Sequence, residues 1–245
     1  MLALVGSGEY LAPMEPVDRE LLARLSPMPE SGTGSWPVAR VVCLPTAAGS
    51  EGPDRVAYWS QLGVNYFSRL GVDVDALPVI DVPSANDPDL AEHIRQADFV
   101  YLSGGRPNYL LSTMKGSLAW EAIQAVLAKG GILAGCSAGA MILGERIPAF
   151  PAWQRAFNLL PGAVVVPHFD EMPESFSKTM RLFVSRDKVL VGVDGYTALV
   201  LQGEQLQVLG RGGVTIWNRW EKVRYTAGQP VRWPLDGRLV EYGNS

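Results

Sequence analysis

The chain has 245 residues, of which 47% are hydrophobic and 19% are charged. This apolar content is enough for one large hydrophobic core, so we expect a single domain over residues 1–245. The net charge of −4 argues against a nucleic-acid partner, because a phosphate-binding surface needs a clustered basic face. No apolar stretch is long enough to span a bilayer, and the first apolar run is too short for a signal peptide. We therefore expect a cytoplasmic protein with neither a membrane nor a nucleic acid as partner.

Short apolar runs alternate with helical patterns through the first half of the chain. The predicted elements, in chain order, are a strand at Leu2–Val5, a helix at Pro16–Leu25, a surface loop at Ser26–Pro37, a strand at Arg40–Leu44, a helix at Arg55–Leu70, a strand at Val72–Ile80, a helix at Asp87–Ala97, a strand at Phe99–Leu102, a helix at Ser117–Ala128 and a strand at Ile132–Ala134. This alternation predicts the α/β class, with a mostly parallel central sheet and helices on both faces.

The pattern changes after about Val189, where strand candidates follow one another closely. They are Val189–Val193, Ala198–Leu201, Gln205–Leu209 and Val214–Trp217, separated by glycine-containing turns. This spacing predicts an antiparallel, strand-rich extension of the same domain over residues 188–245. Basic and aromatic residues alternate from Trp217 to Trp233, and their period of two indicates edge strands with one solvated face rather than a basic binding surface.

The strongest chemical signal is the sequence Gly-Cys-Ser-Ala-Gly at residues 135–139, between an apolar strand and a helical run. This G-x-S-x-G pattern in a strand–turn–helix setting is typical of a nucleophile elbow, in which Ser137 is the nucleophile. The turn forces its central residue into a strained conformation, so the flanking residues must be nearly free of side chains. The competing interpretation is a tight turn that merely needs small residues.

Only two histidines are available as a base for the serine. His168 ends an apolar run over residues 162–167, at the position where open α/β sheets place their sites. His93 lies among charged residues of a predicted helix and is expected to be solvated. We therefore assign His168 as the base that activates Ser137.

The two cysteines, Cys43 and Cys136, form neither a disulfide framework nor a metal-ligand cluster. Both lie in or beside predicted buried strands, which favours small core residues. Strand alternation also aims Cys136 away from Ser137, so it is a poor alternative nucleophile. No motif implies a metal or an organic cofactor.

A second glycine loop follows the predicted strand Phe99–Leu102, with Gly-Gly at residues 104–105. Serine hydrolases stabilise the oxyanion with two backbone N–H donors. One normally comes from the residue after the nucleophile, here Ala138, and Gly105 fits the other role. A plain βα turn is the alternative interpretation. The earlier Gly-Ser-Gly at residues 6–8 lacks the third glycine of a dinucleotide fingerprint, since residue 11 is leucine.

Four segments together resemble peptidase family S51. They are Leu-Ser-Gly-Gly at residues 102–105, Gly-Cys-Ser-Ala-Gly-Ala at 135–140, Pro-His-Phe at 167–169 and Gly-Val-Asp-Gly-Tyr-Thr-Ala at 192–198. That family includes dipeptidase E and cyanophycinase and has the fold of class I glutamine amidotransferases. The resemblance runs from the first strand to about Val200. It implies a three-layer αβα domain that hydrolyses peptide bonds in small peptides.

In the scheme that the resemblance implies, His168 deprotonates Ser137, an acyl-enzyme forms, and water releases it. Family members take the acidic third residue from the loop between the serine and histidine strands, where this chain offers only Glu145. Asp170 and Asp194 are the other candidates. We favour Asp170, because its H-x-D spacing resembles the H-x-E pair of the amidotransferase relatives.

The candidate substrate-binding residues are Arg106 and Asn108, just after the second glycine loop, and Arg181 on the helix after His168. An arginine can bind a substrate carboxylate with two parallel hydrogen bonds. For each arginine alone, a plain surface position is the simpler interpretation. The expected partner is a small peptide, and a homodimer is a further expectation.

Two other functions fit the same residues. An amidase or esterase acting on a small acyl substrate would use the same pair, Ser137 and His168. A catalytically silent binding protein would keep the fold, and the lack of any acid other than Glu145 in the usual loop favours it. The intact nucleophile, base and glycine loop argue for an enzyme instead. A glutaminase is disfavoured, because that chemistry uses cysteine at the tip of the elbow.

Overall fold

The computed structural model describes residues 1–25, 38–149, 152–185 and 187–234. The predicted surface loop at residues 26–37 therefore lies outside the described residues. The strands are β1 (Leu2–Val5), β2 (Arg40–Leu44), β3 (Asp73–Ala76), β4 (Phe99–Leu102), β5 (Ile132–Cys136), β6 (Arg146–Ile147), β7 (Gln154–Arg155), β8 (Ala163–Val166), β9 (Val189–Val193), β10 (Thr197–Gln202), β11 (Gln205–Gly210), β12 (Gly213–Trp217), β13 (Lys222–Thr226) and β14 (Pro230–Val231). The helices are α1 (Glu15–Ala23), α2 (Pro53–Arg69), α3 (Val82–Ala85), α4 (Pro88–Arg95), α5 (Pro107–Met114), α6 (Leu118–Ala128), α7 (Ala138–Leu143) and α8 (Glu174–Phe183).

The central sheet has eight strands in the order β14-β11-β10-β1-β5-β4-β2-β3. The strands from β1 to β3 in this order are parallel to one another. On the other side of β1, strands β10, β11 and β14 pair antiparallel. The predicted α/β class, with a mostly parallel central sheet and an antiparallel C-terminal extension, is confirmed.

Helices cover both faces of the central sheet, because successive residues of a strand point to opposite sides. On β1, Val5 belongs to the apolar cluster that includes Leu21 of α1 and Phe67 of α2. Its neighbour Leu4 belongs to the larger cluster on the other face, which includes Ile123 of α6. The result is the expected three-layer αβα arrangement.

A second, four-stranded sheet has the order β13-β12-β9-β8, and the sequence did not predict it. β8 and β9 are parallel, with Ala163 opposite Val189. The first strand of the predicted antiparallel extension therefore pairs parallel with the strand before His168. The chain passes from the second sheet to the central one between Val193 and Thr197. Periodicity identifies a strand but not its partner, so the sequence alone merged the two sheets.

Local signals in the sequence explain where elements begin and end. Asp87 caps α4 as predicted, since its carboxylate accepts hydrogen bonds from two backbone N–H groups of the first turn, at 2.8 and 3.2 Å. β3 is shorter than the predicted strand Val72–Ile80. Pro78 has no N–H for the ladder, which explains why pairing ends before it.

Several surface and core predictions agree with the structure. Cys43 and Cys136 are both buried and free. Exposed and half-buried residues alternate along β13, which confirms an edge strand with one solvated face. None of the helices in the described ranges is long and apolar enough to cross a membrane. The single domain stays a prediction.

Candidate active site

Three parallel strands bring the chemistry-bearing segments to one edge of the central sheet. β1, β5 and β4 are neighbours, so the residues that follow their carboxyl ends lie side by side. These residues are the Ser7–Glu9 segment, Ser137 and the Ser103–Gly105 loop. A hydrogen bond of 3.0 Å from the N–H of Ser137 to the carbonyl of Val5 fixes the elbow to the end of β1.

Ser137 has the strained backbone expected of an elbow tip. Its φ of 50° and ψ of −107° form a combination that residues with side chains rarely adopt. The flanking glycines are required by space. A Cβ on Gly135 would lie 2.5 Å from the backbone of Gly139, and a Cβ on Gly139 would lie 2.6 Å from the carbonyl oxygen of Leu102. The interpretation as a nucleophile elbow therefore rests on geometry as well as on pattern.

The Nε2 atom of His168 lies 3.2 Å from the Oγ of Ser137. His168 follows β8 and has a left-handed backbone, with φ 53° and ψ 36°, at the start of a 3-10 turn. The ring of Phe169 packs against Gly192 of β9, where a Cβ would lie 2.4 Å from the ring. The second sheet thus places the imidazole of His168 beside Ser137.

Glu171, not Asp170, places its carboxylate at the other nitrogen of this ring. The Oε2 of Glu171 lies 3.4 Å from the Nδ1 of His168, which is longer than an ordinary hydrogen bond. Asp170 instead accepts a hydrogen bond of 2.7 Å from the N–H of Gly195. The 3-10 turn explains the difference, because three residues per turn bring position 171 back over position 168. Glu171 therefore replaces Asp170 as the candidate third residue.

The other two acidic candidates take part in separate ion pairs. The Oε1 of Glu145 lies 2.9 Å from the Nζ of Lys188. Asp194 is buried, accepts a backbone hydrogen bond and pairs with Arg224. Within the described ranges, neither carboxylate contacts His168, so the geometry gives neither a role on the imidazole.

Two backbone amides beside Ser137 are available for an oxyanion. The N–H groups of Ala138 and Gly105 have no acceptor among the residues that the structure describes. The N–H of Gly104 is engaged, since it donates to the Oε1 of Glu9 at 2.9 Å. The loop lies against Ser137, because a Cβ on Gly104 would be 3.4 Å from the Cβ of Ser137. These positions suit the predicted donors, Gly105 and Ala138.

Cys136 is unsuited to nucleophilic chemistry. Its thiol is fully buried and donates to the Oε2 of Glu9 at 2.8 Å. Burial, together with the adjacent Glu9 carboxylate, raises the pKa of the Cys136 thiol well above its usual value. Since the thiolate is the reactive form, a thiol held protonated is inert. The geometry therefore favours Ser137 as the nucleophile.

Sequence reasoning missed two acidic residues of this site, Glu9 and Glu171. Glu9 comes directly after Gly-Ser-Gly at residues 6–8, a segment whose pattern bears only on nucleotide binding. A charged residue just after a buried strand was the available signal. Glu171 is adjacent to the favoured Asp170, and only the course of the 3-10 turn decides which of the two carboxylates lies beside His168.

The comparison with protein-family models matches residues 4–209 to peptidase family S51. The chain belongs to this family. It is therefore a serine-type peptidase. This S51 peptidase is 34% identical to a peptidase from an acI-B1 Actinobacterium, and it matches that crystal structure with a TM-score of 0.83 over 95% of this chain and 96% of that chain.

Further relatives of this S51 peptidase come from Listeria. An uncharacterized peptidase of Listeria monocytogenes is 24% identical over 178 residues, which cover 68% of this chain and 83% of the relative. A similar uncharacterized peptidase of Listeria innocua is 26% identical over 180 residues, with 68% and 82% coverage. A Listeria monocytogenes structure named as a candidate peptidase E is 20% identical, with a TM-score of 0.59 over 86% of this chain and 98% of that chain. This last likeness shows the fold alone.

The predicted substrate-binding residues of the S51 peptidase differ in the exposure of their side chains and in the contacts that these side chains already make. The side chain of Arg106 is 67% exposed, and its Nε lies 4.0 Å from the Oε1 of Glu51. Asn108 is exposed in the first turn of α5. Arg181 donates to the carbonyl of Val184 at 2.9 Å and to that of Asn218 at 3.3 Å. One of its nitrogens therefore caps the end of α8, and another connects the helix to the segment after β12. Substrate binding by these residues stays a prediction.

The remaining histidine lies outside this constellation. His93 is exposed, and its Nε2 lies 3.0 Å from a carboxylate oxygen of Asp75. Among the described residues, no group of three or more His, Cys, Asp or Glu side chains is arranged to hold a metal ion.

Proposed function

We propose that this S51 peptidase is an exopeptidase that cleaves small peptides, dipeptides among them, through an acyl-enzyme on Ser137. The observation that carries the proposal is the 3.2 Å contact between the Oγ of Ser137 and the Nε2 of His168. It occurs at a strained elbow beside unoccupied backbone amides. The resemblance to dipeptidase E supplies the substrate class.

The reaction begins with proton transfer from the Oγ of Ser137 to the Nε2 of His168, while Oγ attacks the carbonyl carbon of the scissile peptide bond. The carbonyl oxygen becomes an oxyanion, which accepts hydrogen bonds from the N–H groups of Gly105 and Ala138. His168 then gives its proton to the leaving nitrogen, and the C–N bond breaks. A water molecule, deprotonated by the same imidazole, hydrolyses the ester and regenerates Ser137.

Glu171 orients the imidazole in this scheme. A carboxylate beside Nδ1 favours the tautomer that carries its proton there and leaves Nε2 free to accept the serine proton. It also stabilises the imidazolium that forms in the transition state. The side chain of Glu171 is 66% exposed, so solvent screens the interaction and its contribution is smaller than that of a buried carboxylate.

The catalytically silent alternative loses its main support in this geometry. It was favoured by the lack of any acid other than Glu145 in the usual loop, and Glu171 provides a carboxylate from the histidine turn instead. The strained backbone of Ser137 also costs about 1–3 kcal/mol, which a binding protein has no chemical reason to retain. The cytoplasmic location and the homodimer stay predictions.

A peptide-cleavage assay tests the proposal and separates it from the amidase or esterase alternative. Wild type and Ser137→Ala are incubated with a dipeptide library that includes Asp-X members, with blocked dipeptides and with simple aryl esters. The proposal predicts hydrolysis of free dipeptides by wild type only. Cleavage of esters or blocked amides without cleavage of any peptide would contradict it.

A further inference from the structure

Glu9 places a buried carboxylate next to the elbow, and the reaction scheme above gives it no part. Glu9 is only 8% exposed. It lies four residues after the end of β1, at the edge of the sheet where Ser137 lies. Burying a carboxylate is costly unless hydrogen bonds compensate for the lost water. Its partners therefore indicate what the side chain does.

The two carboxylate oxygens of Glu9 accept hydrogen bonds from two different segments of the site. Oε1 accepts a hydrogen bond of 2.9 Å from the N–H of Gly104, in the loop after β4. Oε2 accepts one of 2.8 Å from the thiol of Cys136, the residue before Ser137. One side chain thus connects the glycine loop to the last residue of the strand that carries the nucleophile.

The glycine loop is confined on several sides at this point. A Cβ on Gly104 would lie 2.7 Å from the Oε1 of Glu9 and 3.4 Å from the Cβ of Ser137. Gly105 has φ 143°, and a Cβ there would lie 2.6 Å from the carbonyl oxygen of Ala47. The N–H of Arg106 donates to that same oxygen at 2.9 Å. The peptide groups of this loop are therefore held in place from several directions, and the hydrogen bond to Glu9 is one of these restraints.

We propose that Glu9 is a positioning residue for the oxyanion hole: by holding the N–H of Gly104, it leaves the next amide, that of Gly105, as the donor. The inference rests on the proposed function, because it concerns the same oxyanion. The amide of Gly104 is engaged by the protein itself, whereas that of Gly105 has no acceptor in the part of the chain that the structure describes.

The expected kinetic signature follows from when the oxyanion exists. The negative charge develops in the transition state and not in the bound substrate, so a misplaced donor lowers kcat and leaves KM nearly unchanged. Removing one oxyanion donor costs about 10²–10³ in kcat in a serine peptidase. Displacing the donor without deleting it should cost less, about 10–100-fold.

The test compares Glu9→Gln with Glu9→Met in steady-state hydrolysis of the best dipeptide substrate. Glutamine keeps an oxygen for the N–H of Gly104, while methionine fills similar space and accepts no comparable hydrogen bond. We expect E9Q to keep kcat within about threefold of wild type and E9M to lose about 10–100-fold, with KM unchanged in both. If E9M does not fold, Glu9→Asp replaces it. Its carboxylate is one methylene too short to hold both partners, and about a tenfold loss of kcat is expected.

Tyr66→Phe serves as the control for destabilisation alone. It deletes a buried hydrogen bond of 2.6 Å from Tyr66 to the Oδ2 of Asp18, a pair that is not part of the elbow. This variant should have a lower Tm but the kcat of wild type. A loss of kcat in Y66F equal to that in E9M would assign the effect to stability and overturn the role of Glu9.

The remaining outcomes separate this inference from the proposed function. An active wild type matched by E9M in kcat would overturn the positioning role alone. Equal losses in E9Q and E9M would show that the charge is required and would overturn positioning by hydrogen bonding. A folded wild type that hydrolyses no peptide would overturn the proposed function and, with it, the role of Glu9.

Discussion

The Nε2 atom of His168 lies 3.2 Å from the Oγ of Ser137, although the two residues follow strands of different sheets. The turn between β9 and β10 connects these sheets. Within it, the N–H of Gly195 donates to Asp170 at 2.7 Å, and the N–H of Tyr196 donates to the carbonyl of Ser7 at 3.1 Å. The turn thereby fastens the histidine turn to the end of β1. The alignment of Ser137 and His168 thus depends on a contact between two sheets.

Glu171 and Asp170 should have separable effects. Glu171→Ala is expected to lower kcat about 2–5-fold with little change in Tm, because the side chain acts on the imidazole but is exposed and screened by solvent. Asp170→Ala leaves the N–H of Gly195 without its acceptor. It should therefore lower the free energy of unfolding by about 1–3 kcal/mol, and with it Tm, and it should also lower activity. Thermal melts and steady-state kinetics on both variants check this. Full activity in E171A together with an inactive, fully stable D170A would restore Asp170 as the third residue.

Gly192 should be intolerant of a side chain because of Phe169. A Cβ at position 192 would lie 2.4–2.6 Å from atoms of the Phe169 ring, and displacing this ring moves the backbone next to His168. Gly192→Ala is therefore expected to destabilise the protein by about 1–3 kcal/mol and to lower kcat.

The double variant Gly192→Ala/Phe169→Leu provides the matched control for this clash. The smaller side chain makes room for the new Cβ, so part of the lost stability and kcat should return, a non-additivity expected only of residues in contact. Melting curves and kinetics of the two single variants and the double variant give the coupling. Strictly additive effects would contradict the packing account.

Asp18 should make the stability of the fold depend on pH. It is fully buried, its Oδ1 has no hydrogen-bond partner among the described residues, and burial raises the pKa of its carboxyl to about 7. Because the folded-state pKa lies above that of the unfolded chain, the contribution to stability is complete below the unfolded pKa. It declines as the pH rises and is lost once the pH exceeds the folded pKa. The slope between the two values is at most about 1.4 kcal/mol per pH unit.

Asp18→Asn isolates this contribution, because asparagine does not titrate. Relative to wild type, D18N should gain about 2–3 kcal/mol in unfolding free energy between about pH 5 and about pH 8. Urea unfolding of both proteins at the two pH values measures the difference. A constant difference would show that Asp18 titrates normally.

The sequence predicted the parts of the site that depend on local pattern. A glycine on each side of Ser137 between a strand and a helix specifies an elbow, because no other residue fits next to Gly139 and Leu102. The parallel alternation of strands and helices also placed the elbow and the Gly104–Gly105 loop at one edge of the sheet. Each of these features is encoded in a short stretch of consecutive residues.

The parts that sequence reasoning missed depend on contacts between distant segments. The preference for Glu171 over Asp170 beside the imidazole follows from the 3-10 turn that begins at His168, and no motif specifies that turn. Glu9 joins the site only because β1 lies beside β5 and because the side chain of Glu9 reaches the Gly104–Gly105 loop after β4. The second sheet, which carries the strand before His168, was not predicted either, because the pattern of a strand does not indicate which strand it pairs with.

The most direct test of an activated Ser137 is mass-spectrometric mapping of the adduct formed with a fluorophosphonate probe. Wild type is compared with Ser137→Ala, His168→Ala and, as the matched histidine control, His93→Ala, whose ring pairs with Asp75 outside the site. We expect one adduct on Ser137 in wild type and in H93A, and none in S137A or H168A. A properly folded wild type without an adduct, or equal labelling of Ser137 in H168A, would contradict it.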